Sequence, residues 1–430
     1  MEKLLQILHS WNNWREPKLK PGFRREVTEK IIANLHSSDV IALIGARRSG
    51  KTTILYQLIN HLEQEIDKNA ILHVNFEEPY FASKLTIEFL DELYEFYRAN
   101  IFPEGRAYLF FDEIQNIPDW EKWVRARNEN ENVKIFITGS SAKLLSRELA
   151  TLLTGRHLSF FISPLNFREI LTFKDVATTD LNSLKVVSPK IKNLLLNYLK
   201  WGGFPRIILE DNDEIKHELL KQYFDDIIFK DIIMRHQIRD AKLLRELAVY
   251  LITNTASLTS SKRLANIFGV SQTIISSYQN YLEEGFVIGS LPIFSLKQAE
   301  RNRNPKKNYC LDLGLRAAVN NSNSPDNGKV VETAIYNNLQ ARYGEEVYYW
   351  KGRGEVDFFT RKSFKADTAY QVTYFIPDEK TLQREVGALL EIAERFPDLK
   401  LKLLVAELQE DLLLPNNIVA VPLWQFLLEG

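Results

Sequence analysis

Short apolar runs alternate with stretches of helical periodicity over the first third of the chain. The runs are rich in Val, Ile, Leu and Phe, and they lie at 40–44, 71–76, 107–111 and 133–138. Helical periodicity occupies the intervals at 52–62, 87–97 and 121–127. Continuous apolar strands alternating with helices predict an α/β fold whose parallel sheet is covered on both faces. Residues 1–40 are predicted to form an N-terminal segment that begins with a short amphipathic helix, and we call this segment the lead-in.

The pattern changes after Pro164. Residues 166–255 have mostly helical periodicity, broken at 202–205 by the sequence GGFP. Two short amphipathic helices joined at Gly269 follow between 260 and 286, and Ser271 is a suitable N-cap for the second. Apolar runs at 287–296 and 308–311 then predict a hairpin, so this segment has the order of a winged helix.

The tip of that predicted hairpin is basic. One acid, Glu300, faces five cations: Lys297, Arg301, Arg303, Lys306 and Lys307. Basic side chains on a wing suit contact with a phosphate backbone, and the polar residues from Ser271 to Gln279 suit base-edge contacts. DNA is therefore one predicted partner. Winged helices that only pack or bind proteins have the same pattern, and that alternative stays open.

Length and composition limit the other classes of function. The chain has 430 residues and a net charge of -1, which argues against nonspecific coating of nucleic acid. The single cysteine, Cys310, excludes an internal disulfide and a cysteine zinc site. No apolar run is long enough to span a membrane. We expect a soluble, cytoplasmic protein with four parts: a core at 1–165, a helical lid at 166–255, a winged helix at 256–319 and an α/β domain at 320–430.

The strongest motif follows the first apolar run. The sequence GARRSGKT fits the phosphate-binding loop pattern G-x-x-x-x-G-K-[ST] between a strand and a helix. Backbone amides of such a loop surround phosphate oxygens, while Lys51 reaches the β- and γ-phosphates and Thr52 ligates Mg²⁺. The predicted nucleotide-binding residues here are Gly45, Arg47, Arg48, Ser49, Gly50, Lys51, Thr52 and Thr53.

A pair of acids supports this interpretation. Asp112 and Glu113 end the third apolar run, where Asp112 is placed to hold Mg²⁺ and Glu113 to polarise an attacking water. Ser140, after the fourth run, is a candidate contact for the γ-phosphate or the water. Capping of a helix at Ser141 explains the same hydroxyl-rich segment equally well.

These motifs together resemble a known family. GARRSGKTT, VNFEEP, YLFFDEIQN, FITGSSAKLLS, SPLNFREI and WGGFPR occur in the order found in prokaryotic AAA-type P-loop ATPases that carry a restriction-endonuclease-like domain of the PD-(D/E)xK type. The resemblance implies ATP and Mg²⁺ as cofactors. It also implies that Asn75 restrains Glu113 until a ligand binds, although a turn role for Asn75 is equally compatible.

Phosphoryl transfer also needs a cation for the charge of the transition state. Arg156 is the first candidate, acting from a lid or a neighbouring subunit, and Arg206 is the second. A surface salt bridge is the simpler role for either. Arg47 and Arg48 are expected to point outward from the loop, where they stack on a base or are solvated.

The C-terminal part resembles a metal-dependent nuclease site with two positions changed. Glu332, Glu355 and Asp357 match expected metal ligands, but Gln371 and Thr373 occupy the positions of the usual Glu and Lys. Loss of a carboxylate and a cation removes transition-state stabilisation, so we expect an inactive, vestigial nuclease site.

The sequence is compatible with three functions. The first is an ATP-hydrolysing switch or motor that contacts DNA through the winged helix. The second is an ATP-gated nuclease, which needs the altered site to work. The third is a nucleotide-controlled scaffold for protein partners or for further copies of this chain.

Overall fold

The computed structural model describes residues 2–16, 18–141, 155–176, 188–320, 326–407 and 412–429. It divides into two compact units, at 1–163 and 164–430. The boundary lies close to the predicted end of the core at 165, and the finer division of the second unit stays a prediction.

The first unit contains one parallel five-stranded sheet. Its strands are β1 (Val40–Ile44), β2 (Ile71–Asn75), β3 (Ala107–Asp112), β4 (Val133–Gly139) and β5 (His157–Phe161). Their order is β2-β3-β4-β1-β5, and every neighbouring pair is parallel. Stacking of Phe110 on Phe136, with ring centroids 4.2 Å apart, joins the two central strands. The parallel sheet predicted from the sequence is present, with β5 as an additional strand.

The apolar pattern did not reveal β5 because its side chains are half-buried or exposed. The α-helices among the described residues of this unit are α1 (Glu2–Trp11), α2 (Glu26–Ile32), α3 (Lys51–Leu62), α4 (Ile87–Asn100) and α5 (Trp120–Asn130). Since β1, β3 and β4 are adjacent and parallel, their carboxyl ends meet at one edge of the sheet. That edge holds the phosphate-binding loop and both acids.

The second unit begins with helices. They are α6 (Phe167–Phe173), α7 (Pro189–Trp201), α8 (Pro205–Leu209), α9 (Asp213–Asp226), a π-helix at Ile227–Met234 and α10 (Ala241–Thr253). The start of α6 has a full capping box, in which the Asn166 side chain accepts from the Glu169 amide and Glu169 accepts from the Asn166 amide.

A small antiparallel sheet and two helices follow. The elements are β6 (Ser257–Thr259), α11 (Ser261–Phe268), α12 (Gln272–Glu284), β7 (Ile288–Leu291), α13 (Gln298–Arg303), β8 (Lys306–Cys310) and α14 (Leu313–Val319). The sheet has the order β6-β8-β7. Strand β8 begins earlier than the sequence predicted, so Lys306 and Lys307 belong to the strand instead of the hairpin tip.

The last part has a mixed five-stranded sheet. It is built from α15 (Asn327–Tyr343), β9 (Val347–Lys351), β10 (Glu355–Lys362), β11 (Lys365–Thr373), α16 (Glu379–Arg395), β12 (Lys400–Val405), β13 (Ile418–Pro422) and α17 (Leu423–Phe426). The order is β13-β12-β11-β10-β9. Strands β9, β10 and β11 pair antiparallel, whereas β11, β12 and β13 pair parallel.

One hydrophobic core extends through much of the second unit. It combines residues of α6 and α7 with Leu291 and Tyr309 of the small sheet and with α15 and the mixed sheet. Tyr309 stacks on Tyr336 with ring centroids 4.1 Å apart. The predicted lid, winged helix and C-terminal domain therefore share buried side chains.

Candidate functional site

The phosphate-binding loop connects β1 to α3. A Cβ atom at Gly45 would lie 2.0 Å from the carbonyl oxygen of Ile162, so only glycine fits there. Gly50 has φ +103°, a conformation that other residues rarely adopt. The two glycines of the motif are thus required by the backbone itself, and they let the loop turn sharply into the amino end of α3.

Lys51 is buried within this loop. Its ammonium donates to the carbonyl oxygens of Gly45 (3.1 Å) and Ala46 (3.2 Å) and lies 3.3 Å from Oε1 of Glu113. The charge is therefore directed into the curve of the loop. A phosphate group bound inside the loop would lie next to this Lys51 charge.

Asp112 lies beside Thr52, as magnesium coordination requires. The Thr52 hydroxyl donates to Asp112 Oδ2 at 2.7 Å, and the Thr138 hydroxyl donates to the other oxygen, Oδ1. The backbone amide of Glu113 donates to Thr138 Oγ1 at 2.9 Å. Residues that are far apart in the chain are thereby brought together at the sheet edge.

The two acids have opposite electrostatic environments. Burial, reinforced by the negative charge of Glu113, raises the pKa of Asp112 to about 6. Burial alone would also raise the pKa of Glu113, but the Lys51 ammonium, a Gln115 hydrogen bond and the Arg47 charge together lower it. The pair therefore holds a carboxylate at Glu113 next to a cation.

Gln115, which the sequence reasoning missed, is the neutral polar partner of Glu113. Its Nε2 donates to Glu113 Oε2 and lies 3.4 Å from the Ser140 hydroxyl. The expectation that Asn75 restrains Glu113 is wrong, because Asn75 Nδ2 faces Asp112 Oδ2 at 3.5 Å. Asn75 Oδ1 also accepts from the amide of Glu77 at 2.7 Å, which is a turn contact.

Ser49 supplies a test of whether the loop fits a phosphate. Its side chain is fully buried, and its hydroxyl has no hydrogen-bond partner among the described residues. A buried hydroxyl without a partner costs free energy unless a ligand satisfies it. The orphan hydroxyl, the glycine-dependent turn and the inward Lys51 together fit a phosphate group. The Thr52 and Asp112 oxygens fit a hard cation such as Mg²⁺.

The two loop arginines differ from each other. Arg47 was expected to point outward, but its side chain is 15% exposed and pairs with Glu77 at 2.6 Å. Arg48 is exposed and has φ +67°. Thr53, the remaining predicted loop contact, is half-buried in the first turn of α3. A helix predicted to follow Ser141 lies outside the described residues.

Arg25 is a further residue that sequence reasoning missed. It is buried, and its guanidinium donates to the carbonyl oxygens of Ser49 and Ser163, each at 3.0 Å. It thus ties the phosphate-binding loop to the segment after β5. The only sequence signal was an arginine in the lead-in, which has no distinctive pattern.

Arg156, the first candidate for the transition-state cation, lies far from the phosphate-binding loop of its own chain. The amide of Val40, at the amino end of β1, donates to the Arg156 carbonyl at 3.1 Å. The phosphate-binding loop is at the other end of this strand, about 16 Å away at the usual rise per residue. The Arg156 side chain pairs with Glu129 at 3.1 Å. Action on a neighbouring subunit stays a prediction, and Arg206 is exposed on α8.

The vestigial site contains a cation that sequence reasoning assigned elsewhere. Lys307 was expected in the basic hairpin tip, but its side chain is 4% exposed and contacts Glu332, Glu355 and Asp357. The interpretation that this site lacks a cation is therefore wrong.

Gln371 belongs to the same buried group. Its Oε1 accepts from the Asp357 amide at 3.3 Å, and its Nε2 donates to Glu385 of α16. Sequence reasoning missed Glu385, which is buried and also pairs with Arg384.

Within the described ranges, no group of three or more His, Cys, Asp or Glu side chains is arranged to hold a metal ion. None of the helices described here is long and apolar enough to cross a membrane.

Comparisons with protein families identify two segments of the chain. A family model described as an AAA domain matches residues 37–171. A second model, described as a domain of unknown function (DUF8612), matches residues 192–326. The first match covers the phosphate-binding loop and both acids, so the predicted nucleotide-binding core is an AAA-type P-loop domain.

Two uncharacterized proteins align with most of this chain. An uncharacterized protein of Methanocaldococcus jannaschii is 36% identical over 391 residues, which are 88% of this chain and 82% of that protein. An uncharacterized protein of Haemophilus influenzae is 30% identical over 386 residues, covering 88% of this chain and 92% of that protein.

Solved structures are more distant. A Walker-type ATPase of Pyrococcus abyssi has a TM-score of 0.49 at 15% identity, covering 71% of this chain and 98% of that chain. The ORC1 protein of Aeropyrum pernix in complex with DNA has a TM-score of 0.36 at 14% identity, covering 70% and 93%. Likenesses this low do not bear on the function or partners of the present chain.

Proposed function

Because the chain belongs to one family with these M. jannaschii and H. influenzae proteins and its residues 37–171 match an AAA domain, we propose that it is a magnesium-dependent ATPase. The observation that carries the proposal is the 2.7 Å hydrogen bond between Thr52 and Asp112. It places the loop hydroxyl and the strand-end carboxylate at one point, next to the inward ammonium of Lys51.

Each residue has a distinct role in this proposal. The loop amides, Ser49 and Lys51 bind the phosphates, while Thr52 and Asp112 hold Mg²⁺. When bound, the cation offsets negative charge on the phosphate oxygens. Glu113 orients a water and accepts its proton. In the present arrangement Lys51 and Gln115 engage Glu113, so these contacts must loosen before Glu113 can accept the proton.

Two substitutions test the ATPase proposal. Lys51→Ala removes the phosphate cation and should abolish ATP binding and turnover. Glu113→Gln keeps the shape of the side chain but accepts a proton poorly, so ATP should still bind while turnover falls by about a thousandfold or more. Phosphate release measures turnover, and calorimetry measures binding.

Two matched variants serve as controls. Lys68→Ala and Glu65→Gln change exposed side chains of the same unit and should leave both binding and turnover unchanged. Normal turnover in Lys51→Ala and Glu113→Gln would contradict the proposal.

DNA contact through the small sheet and its helices is the second part of the proposal. The order α10-β6-α11-α12-β7-β8, with an antiparallel three-stranded sheet, supports a winged helix. Ser271, Gln272 and Thr273 are exposed at the start of α12. Exposed cations nearby supply charge for a phosphate backbone: Lys262, Arg263, Lys297, Arg303 and Lys306.

The DNA proposal is tested by neutralising Arg303 and Lys306 together. Affinity for duplex DNA should fall, and the slope of log affinity against log salt should decrease by about two. Neutralising Lys362 and Lys365, exposed cations of the mixed sheet, is the control. Binding that is undetectable or independent of salt would favour the scaffold function, with protein partners.

We further propose that residues 320–430 form an endonuclease-like domain without nuclease activity. The order α15-β9-β10-β11-α16-β12, with carboxylates on α15 and β10, supports the resemblance. The altered Gln371 and the buried Lys307 disfavour an ATP-gated nuclease. Cutting of supercoiled plasmid with Mg²⁺ or Mn²⁺ that disappears in Asp357→Ala would contradict this part of the proposal.

A further inference from the structure

Lys307 connects two different sheets of the second unit. It lies on β8 of the three-stranded sheet, whereas its partners lie on α15 and β10. Its Nζ is 3.0 Å from Glu332 Oε1, 2.9 Å from Glu355 Oε1 and 2.9 Å from Asp357 Oδ1. We call Glu332, Glu355 and Asp357 the carboxylate cluster.

The carboxylate cluster is held in place by further donors. The Tyr309 hydroxyl donates to Glu332 Oε1 at 2.6 Å, and the amide of Val372 donates to Asp357 Oδ2 at 3.0 Å. Lys351 lies 3.3 Å from the second oxygen of Glu355. Each carboxylate therefore has a fixed contact besides Lys307, so the cluster does not depend on this lysine alone for its position.

The charges of the cluster are not balanced. One buried ammonium contacts three carboxylates, Lys351 lies beside one of them, and the charge of Asp357 also acts on the exposed Arg384. A buried site with excess negative charge and fixed oxygens has a strong electrostatic preference for a cation. In this chain an amino-acid side chain meets that preference.

We propose that Lys307 closes the carboxylate cluster to divalent cations, as an inhibitory contact within the chain. The three oxygens are as close to Nζ as hydrogen bonding requires. A metal ion such as Mg²⁺ would need oxygens at about 2.1 Å, so each would move inward by about 0.8 Å into the space that the ammonium occupies. Lysine and metal ion therefore exclude each other.

The contact is coupled to the small sheet. Strand β8, which carries Lys307, is itself anchored, because the adjacent Asn308 donates to the Leu251 carbonyl at 2.7 Å and the Tyr309 hydroxyl donates to Glu332. A partner that displaced β8 would open the cluster to a cation. This inference depends on neither ATP hydrolysis nor DNA contact.

Mn²⁺ binding to the full-length chain tests the inference. Free Mn²⁺ measured by electron paramagnetic resonance gives the number of ions bound per chain, and ions at the phosphate-binding loop are common to all variants. Lys307→Met retains an apolar stem but no charge, and it should bind one ion more than the wild type. The extra ion should disappear in Lys307→Met combined with Asp357→Asn.

The matched control is Lys306→Met, since Lys306 is the exposed neighbour on the same strand. It should bind as many ions as the wild type. Two results would overturn the inference: a folded Lys307→Met variant that gains no ion, or a wild type that loses an ion on Asp357→Asn.

A second measurement on the wild type guards against a Lys307→Met variant that does not fold. Acylation of lysines in the native chain, followed by mass spectrometry, should modify Lys306 rapidly and Lys307 only after unfolding in urea. Adding excess Mn²⁺ should not expose Lys307. Equal labelling of the two lysines in the native chain, or exposure of Lys307 by Mn²⁺ alone, would contradict a closed cluster.

Discussion

At the scale of single residues, burial decides the protonation of several side chains. His73 on β2 is completely buried, and its Nδ1 lies 3.0 Å from the Trp11 carbonyl oxygen. Burial lowers the pKa of His73 to about 4, although the bond to Trp11 opposes the shift. Glu332 shows the reverse effect for an acid, because burial and the charge of Asp357 raise its pKa to about 7.

The His73 shift predicts a loss of stability in acid. Below its ordinary pKa of 6.5, the unfolded chain binds a proton at His73 that the folded chain does not. The free energy of unfolding should therefore decrease as the pH is lowered, by about 2 kcal/mol from pH 7 to pH 5 from this residue alone. Urea unfolding of the wild type and His73→Gln at both pH values measures the contribution.

The control for this experiment is His61→Gln, which changes a half-buried histidine on α3. Its pH dependence should match that of the wild type, whereas that of His73→Gln should be weaker. An equal pH dependence in all three proteins would show that His73 does not carry the effect.

At the scale of elements, the lead-in protects the edge of the parallel sheet. Strand β2 is an edge strand, which leaves backbone groups without a strand partner. Asn12 supplies partners: its Nδ2 donates to the His73 carbonyl at 2.9 Å, and its Oδ1 accepts from the His73 amide at 2.7 Å. Trp14 Nε1 donates to the Ile71 carbonyl at 2.7 Å. The lead-in thus replaces part of a sixth strand.

Asn12→Ala should destabilise the first unit by about 2 kcal/mol. The substitution leaves a buried amide and a buried carbonyl without their partner, and buried groups of this kind are costly. Chemical denaturation followed by tryptophan fluorescence measures the change. Asn100→Ala, at the exposed end of α4, is the control and should change stability by less than about 0.5 kcal/mol. Equal stability of the two variants would contradict the edge-protection role.

At the scale of the whole molecule, the second unit is organised around shared buried side chains. Tyr309 of the small sheet stacks on Tyr336 of α15, and Ile293 forms a β-bridge with Tyr349 of β9. The salt bridges of Lys307 cross the same boundary. Cutting the chain near residue 320 would expose an apolar surface and leave buried charges unpaired.

Two fragments test this organisation. Residues 164–430 should unfold in one cooperative transition, because one buried core joins α6 and α7, the small sheet, α15 and the mixed sheet. Residues 164–319 keep a second buried core between Trp201 and Ala318 but lose the apolar partners of Leu291 and Tyr309, so they should unfold at a clearly lower temperature. Calorimetry and circular dichroism measure both. Equal transition temperatures for the two fragments would show that the predicted domains at 166–319 do not depend on the C-terminal part.

The sequence by itself determined the features that depend on neighbouring residues. The spacing from Gly45 to Thr52 predicted the phosphate-binding loop, and the acids after the third apolar run predicted where Asp112 and Glu113 lie. Both depend on local backbone geometry and on the rule that parallel strands bring their carboxyl ends to one edge. The parallel sheet and its helices followed from periodicity for the same reason.

Only the tertiary structure decided contacts between distant segments. Arg25 reaches the phosphate-binding loop, Gln115 instead of Asn75 holds Glu113, and Arg156 lies at the far end of β1. Lys307 looks like one more cation of a basic segment until strand pairing fixes its direction. Alternate residues of a strand face opposite sides, so Lys306 is exposed while Lys307 is buried among carboxylates, and no local pattern contains that information.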